Sequence, residues 1–127
     1  RSTAARDASS AGSGSLLSSE VVLAVMSSAA GEARWHAIEV TWGIRFPHVY
    51  RLLSANATVI GRRLLMVRCP AFWEARVGDC DGYESHVYKA HLGLRHLVRR
   101  HRNARWFGLL GDDTYVHRAF LLSHLHM

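Results

Sequence analysis

Apolar runs and amphipathic stretches alternate along the chain in an order typical of an α/β domain. Four short runs rich in Val and Leu predict strands, at 20–28, 48–56, 62–69 and 105–110. Stretches with helical spacing predict helices at 31–43 and 83–103, and a further helix begins in 116–125. A strand, helix, strand, strand, helix, strand, helix order predicts a largely parallel sheet with helices packed on it.

The predicted helices differ in character. In the first, Trp35, Ile38 and Trp42 recur at helical spacing, and Gly43 is a plausible stop. In the second, the predicted apolar stripe consists of Val87, Ala90, Leu94, Leu97 and Val98. Its basic side chains are predicted to lie off that stripe, namely Lys89, Arg95, His96, Arg99 and Arg100.

Two segments have clear local signatures. Residues 70–82 carry Gly and Asp at several positions and are interpreted as a loop. The run 105–110 is nearly continuous in apolar residues, which is typical of a strand covered on both faces.

Composition adds limits on size and partners. A chain of 127 residues, 49% hydrophobic, is long enough for one modest domain, which we place at 16–127. Residues 1–15 are small and polar and are interpreted as a flexible linker or stem. The net charge of +6 favours an anionic partner, such as nucleic acid, a phosphorylated ligand or a membrane surface. No apolar run approaches the ~20 residues of a membrane helix, and the chain is interpreted as a piece of a longer protein.

The two cysteines and one asparagine bear on the cellular compartment. Cys69 and Cys80 bracket a ten-residue loop, and this spacing is compatible with either a disulfide or two free thiols. Asn56 begins an Asn-Ala-Thr glycosylation sequon, which mildly supports a secreted or lumenal setting.

Asp112 and Asp113 follow the fourth predicted strand directly. Neighbouring carboxylates repel each other, and ligands of open α/β sheets bind at the carboxyl ends of strands. The pair could hold Mg²⁺ or Mn²⁺ together with substrate phosphates, or it could cap the following helix. The helix predicted at 83–103 also allows two interpretations: its basic face could be solvated, or it could bind nucleic acid.

Three separated stretches together resemble the fringe-like β-1,3-glycosyltransferases, glycosyltransferase family 31. The first is VVLAVMSSAAGEARWHAIEVTWG, in which Arg34 and the Thr-Trp-Gly at 41–43 match. The second is DGYESHVYKAHLGLRHL, with matches at Asp81, Tyr83 and Lys89. The third, RWFGLLGDDTYV, resembles the family's strand and Asp-Asp-Asp motif, with Gly111 in place of the first aspartate.

This resemblance implies the N-terminal, donor-binding half of a metal-dependent hexosyltransferase with a Rossmann-like fold of the glycosyltransferase A type. It implies Asp113, supported by Asp112, as the ligand of Mn²⁺ or Mg²⁺. Nucleotide-sugar binding would involve Ser27, Ser28, Arg34, Lys89 and Asp112. None of the acidic residues matches the family's general base, so no catalytic residue is assigned and the base is expected downstream of the chain.

The resemblance also implies partners and a location. The partners would be a UDP-sugar donor and a glycan or glycoprotein acceptor, with no nucleic acid. The setting would be the Golgi or endoplasmic reticulum lumen, as part of a type II membrane protein whose anchor lies outside this chain. A Cys69–Cys80 disulfide fits that setting. Two alternatives stay open: a non-catalytic relic or fragment of the fold, and a small basic nucleic-acid-binding protein.

Overall fold

A parallel sheet forms the centre of the structure, a computed structural model that describes residues 16–54, 63–78 and 80–125. The predicted stem at 1–15 and the sequon at Asn56 lie outside these residues. The strands are β1 (Val21–Met26), β2 (Val49–Ser54), β3 (Leu64–Val67) and β4 (Trp106–Gly111). The α-helices are α1 (Glu32–Val40), α2 (Ala71–Val77), α3 (His86–Arg100) and α4 (Arg118–Leu125).

The strands lie in the order β3-β2-β1-β4, and every neighbouring pair is parallel. In the register, Leu23 pairs with Val49 of β2 and with Gly108 of β4. The predicted α/β class and parallel sheet are therefore confirmed. The topology is consistent with a Rossmann-like fold, in which the chain leaves the first strand for one side of the sheet and later returns to its other side.

Alternate residues of β1 supply the two hydrophobic cores, because successive side chains of a strand point to opposite faces. Val21, Leu23 and Val25 pack on one face with residues of α1, the segment after it, and α4. Val22 and Ala24 pack on the other face with Leu97 of α3. The helices thus cover both faces of the sheet. Trp35, Ile38 and Trp42, predicted from their spacing, all lie in the first core.

Two of the sequence-based predictions are wrong, one about a loop and one about the burial of a strand. Residues 71–77 of the predicted loop form α2, which begins after Pro70 and ends at Gly78, whose φ of 90° suits glycine. The fourth strand is not covered on both faces: β4 is an edge strand of the described sheet, and Leu109 is 44% exposed.

The predicted stripe of α3 is also only partly right. Leu97 is buried, but Val87 and Val98 are exposed. The buried line consists instead of residues four apart, Lys89, Gly93 and Leu97. Lys89 therefore lies on the packed face, where sequence reasoning had excluded it.

The other end of α3 reaches the edge of the sheet where the strands begin, and aromatic rings meet there. The His101 ring lies 4.4 Å from that of His48, and its Nε2 is 2.8 Å from the Tyr50 hydroxyl. Desolvation by burial lowers the pKa of His101, and the charges of His48, Arg100 and His96 lower it further. This imidazole is therefore held neutral in the folded chain to a lower pH than in the unfolded chain.

Stability is accordingly expected to fall on acidification through this cluster. Because the folded pKa of His101 is lowered, its contribution is fully present above the unfolded value of about 6.5. It is lost as the pH falls from there through the folded pKa. Urea unfolding at pH 7.5 and pH 5.5 should show a smaller pH effect in His101→Gln than in the wild type. Equal pH effects in both proteins would contradict this assignment.

Candidate functional site at the carboxyl ends of β1 and β4

A cleft lies where β1 and β4 end, and the order of the strands explains its position. β2 and β4 lie on opposite sides of β1, so the strand order reverses there, and ligands of parallel sheets bind at the carboxyl ends of the strands at such a point. The cleft has a volume of about 330 Å³. It is lined by residues at the two strand ends, on α1, before α3 and at the start of α3, namely Met26, Ser27, Ser28, Arg34, Asp81, His86, Gly111, Asp112 and Asp113.

The Asp112 carboxylate connects the end of β4 to Ser27 after β1 and to Arg34 on α1. Its Oδ1 accepts a hydrogen bond from Arg34 Nε at 2.9 Å, and its Oδ2 accepts one from Ser27 Oγ at 3.1 Å. The backbone N–H of Asp112 donates to the Met26 carbonyl. The Asp112 side chain is 12% exposed. Both of its oxygens therefore already have protein donors, and its main role in the observed geometry is to tie α1 and β1 to the end of β4.

Asp113 has the opposite character. Its side chain is exposed, and it forms neither a hydrogen bond nor an ion pair within the described part of the chain. Asp113 Oδ1 lies over the backbone of Gly111, where a Cβ would approach it to 2.9 Å. The small residue at 111 thus leaves room for this carboxylate to face the cleft.

Gly31, the residue just before α1, shows how closely the start of this helix approaches the cleft. A Cβ built at this position would lie 2.5 Å from Asp112 Oδ2 and 3.1 Å from Ser27 Oγ. Such contacts are shorter than a carbon atom tolerates, so residue 31 has to be small while Asp112 keeps its place. This is the physical reason for a glycine at position 31.

Lys89 lies beneath the cleft and does not line it. Its side chain is fully buried, and Nζ donates to the Ser27 carbonyl at 2.6 Å and to Asp81 Oδ1 at 2.7 Å. Asp81 also accepts from the Ser54 backbone N–H at the end of β2. A buried ammonium ion is tolerated only when such partners replace water. Lys89 therefore holds the ends of β1 and β2 together.

Arg51, which sequence reasoning missed, supports the same loop from within the sheet. It is 1% exposed on β2, and its guanidinium group donates to Ser27 Oγ, the Ser28 carbonyl and Glu32 Oε1. Three donors in a fixed planar arrangement orient the loop after β1. The sequence did contain a signal for this role, because Arg51 is a charged residue between Tyr50 and Leu52 in a largely apolar predicted strand.

The structure thus brings together most of the residues that were predicted to bind a ligand. Ser27, Ser28, Arg34, Asp112 and Asp113 line one cleft, and Lys89 contacts it from below. Cys69 and Cys80 are joined by a disulfide with Cα atoms 6.1 Å apart.

The charges around the cleft nearly cancel. Its three cationic side chains are Arg34, Arg51 and Lys89, and its four carboxylates are those of Glu32, Asp81, Asp112 and Asp113. The uncompensated negative charge lies at Asp113. Within residues 16–54, 63–78 and 80–125, no three His, Cys, Asp or Glu side chains are grouped to hold a metal ion. A cation at Asp113 would therefore need ligand oxygens from a bound molecule or water, as Mg²⁺ commonly does.

No protein-family model, curated protein or solved structure matches the chain. Among the helices of the described residues, none combines the length and the apolar character needed to cross a membrane. A function is therefore inferred from the geometry of the cleft and from the three sequence stretches that meet there.

Proposed function

We propose that this chain is the donor-binding half of a glycosyltransferase with the glycosyltransferase A type of fold. The cleft would bind a nucleoside diphosphate sugar, a UDP-sugar by resemblance, together with Mn²⁺ or Mg²⁺. The observation that carries the proposal is the unpartnered Asp113 carboxylate beside the Asp112–Arg34 ion pair at the strand ends. The three stretches that resemble fringe-like enzymes are far apart in sequence, and each contributes to this one cleft.

Arg34 is suited to bind an anion. Asp112 accepts from its Nε only, and the Nη groups form no hydrogen bonds within the described residues. The side chain is 56% exposed, so these donors face solvent while the ion pair orients the guanidinium plane. Arginine recognises phosphate oxygens with paired N–H groups of this kind. Arg34 would thus present its outer edge to the diphosphate.

The charge balance favours a diphosphate that arrives with a cation. A cleft with a net negative charge does not attract a diphosphate by itself, since the added charges repel Asp113. Asp113 fits a hard divalent ion because it is an exposed oxygen ligand at a strand end. When bound, such an ion stabilises the negative charge that develops on the diphosphate leaving group.

The chain's own residues would bind and orient the donor. Asp81 is paired with Lys89, and Asp112 is paired with Arg34, so neither is proposed as the general base. The acceptor, a glycan or glycoprotein hydroxyl, the Golgi or endoplasmic reticulum location and the type II membrane anchor are parts of the same proposal. They rest on the resemblance, and the disulfide agrees with an oxidising compartment.

The test is a titration of the folded chain with UDP, with and without Mn²⁺. The wild type should bind UDP more tightly with Mn²⁺, and Arg34→Ala should bind it about tenfold or more weakly. The reason is that a charge-assisted hydrogen bond contributes about 1.5–3 kcal/mol. Arg45→Ala, which removes an exposed arginine outside the cleft, should leave the affinity unchanged.

Two results would count against the proposal. Equal UDP affinity of the wild type and Arg34→Ala would show that Arg34 does not bind UDP and serves only as the ion-pair partner of Asp112. Binding of DNA without any binding of UDP would contradict the glycosyltransferase function itself.

A further inference from the structure

Four arginines form a second charged feature, at the end of the sheet opposite the cleft. The arginine surface consists of Arg95, Arg99 and Arg100 on α3 and of Arg102 just after it, all exposed. Lys89 near the start of α3 contacts the cleft, whereas His101 just after α3 meets His48 and Tyr50 where β2 begins. The arginine surface therefore lies where the strands begin, and the cleft lies where they end.

None of the four guanidinium groups has a carboxylate partner among the described residues. The sequence explains this, because no Asp or Glu occurs between Ser85 and Gly111. Nearby Arg105 does have a carboxylate neighbour, Glu20, at 3.9 Å. The positive charge of the arginine surface is thus left uncompensated within the fold.

The geometry of α3 aligns two of these charges, those of Arg95 and Arg99. Arg95 and Arg99 are four residues apart and lie on one face. Each follows a buried residue, Gly93 or Leu97, by two positions, which places it about 200° around the helix. Arg95 and Arg99 therefore form a row that points away from the sheet. Positive charge at a helix C-terminus stabilises the helix, but this effect is confined to the last turn and does not explain Arg95.

We propose that the arginine surface binds a linear sulfated polysaccharide. A row of guanidinium groups along one helix complements a chain of regularly spaced anions, and arginine pairs with oxyanions through two N–H groups. The disulfide favours an oxidising or extracellular setting, where the abundant polyanions are sulfated and carboxylated glycans. No Phe, Tyr or Trp, on which nucleic-acid bases would stack, occurs between Arg95 and Arg102, and the Tyr50 ring beneath Arg100 is half-buried.

The probe is heparin, with uncharged dextran as the control polymer. The full chain should bind heparin and not dextran. Arg95→Gln/Arg99→Gln/Arg102→Gln should weaken heparin binding about tenfold or more in about 0.15 M salt. It should also reduce the slope of log K against log salt by about three, one unit for each lost contact. Arg100 is kept because it lies over the Tyr50 ring.

The matched control is Arg45→Gln/Arg76→Gln/Arg118→Gln, which removes the same charge from exposed positions elsewhere. Heparin affinity should change less than threefold in this control. Equal weakening by both triple variants would reduce the effect to net charge and overturn the proposal. Tighter binding of duplex DNA or of phosphatidylserine vesicles than of heparin at the same salt would also overturn it. Circular dichroism checks folding, and the single variants Arg95→Gln and Arg99→Gln replace a triple variant that fails to fold.

Discussion

Lys89→Met is expected to lower the free energy of unfolding by about 3–5 kcal/mol, the cost of removing one member of a buried ion pair. Methionine has a similar volume, so little packing is lost. The Asp81 carboxylate, however, keeps only part of its hydrogen bonding, since the Ser54 N–H remains and the ammonium is gone. The Ser27 carbonyl also loses its donor. Chemical denaturation of the wild type and the variant at pH 7 measures the difference.

A second variant separates the ion pair from the packing. Lys89→Met combined with Asp81→Asn removes both charges, so it should be more stable than Lys89→Met alone. Arg95→Met on the exposed face of the same helix should change the stability by less than about 0.5 kcal/mol. A loss below about 1 kcal/mol in Lys89→Met would contradict the buried ion pair.

Asp113→Asn is expected to abolish the Mn²⁺ dependence of UDP binding while leaving the fold intact. Substitutions that only support a metal ligand already cost about 10–100-fold in metal affinity, so loss of the ligand itself should exceed about a hundredfold. The stability should change by less than about 0.5 kcal/mol, because Asp113 is exposed and unpartnered among the described residues. Calorimetric titration with Mn²⁺ and UDP, alone and together, measures the effect.

Asp112→Asn provides the contrast. It weakens the ion pair with Arg34, so it should reduce stability and weaken UDP binding. Asp113 remains in place, however, so Mn²⁺ should still enhance UDP binding. If Asp112→Asn abolished the metal effect and Asp113→Asn did not, the roles of the two carboxylates would be the reverse of those proposed.

Periodicity predicted the strands and three of the helices well, because apolar side chains recur along them at regular spacing, although the buried line of α3 also contains Lys89 and Gly93. It failed at 71–77, where the density of Gly and Asp nearby favoured a loop. The boundaries of α2 were nevertheless marked, by Pro70 before the helix and by Gly78 after it. The competing turn residues obscured a seven-residue helix.

The candidate site shows a different limit. Strand ends in a parallel sheet meet at one edge, so the proximity of Ser27, Arg34 and Asp112 could be expected from the sequence. The buried positions of Lys89 and Arg51 could not, because each depends on partners distant in sequence. Lys89 contacts a carbonyl 62 positions away, and Arg51 reaches a hydroxyl 24 positions away. Hydrophobicity patterns assign such residues to the surface.

The disulfide described above would make the cleft sensitive to the redox state of its surroundings. Cys80 immediately precedes Asp81, and its bond to Cys69 tethers that segment to the residues after β3. Closing a loop of this length removes unfolded-chain entropy worth roughly 2–3 kcal/mol. Reduction would release the backbone that carries the carboxylate partner of Lys89, and with it one support of the loop after β1. A reducing compartment would thus act on the proposed affinity for a nucleotide sugar through Asp81, which lines the cleft.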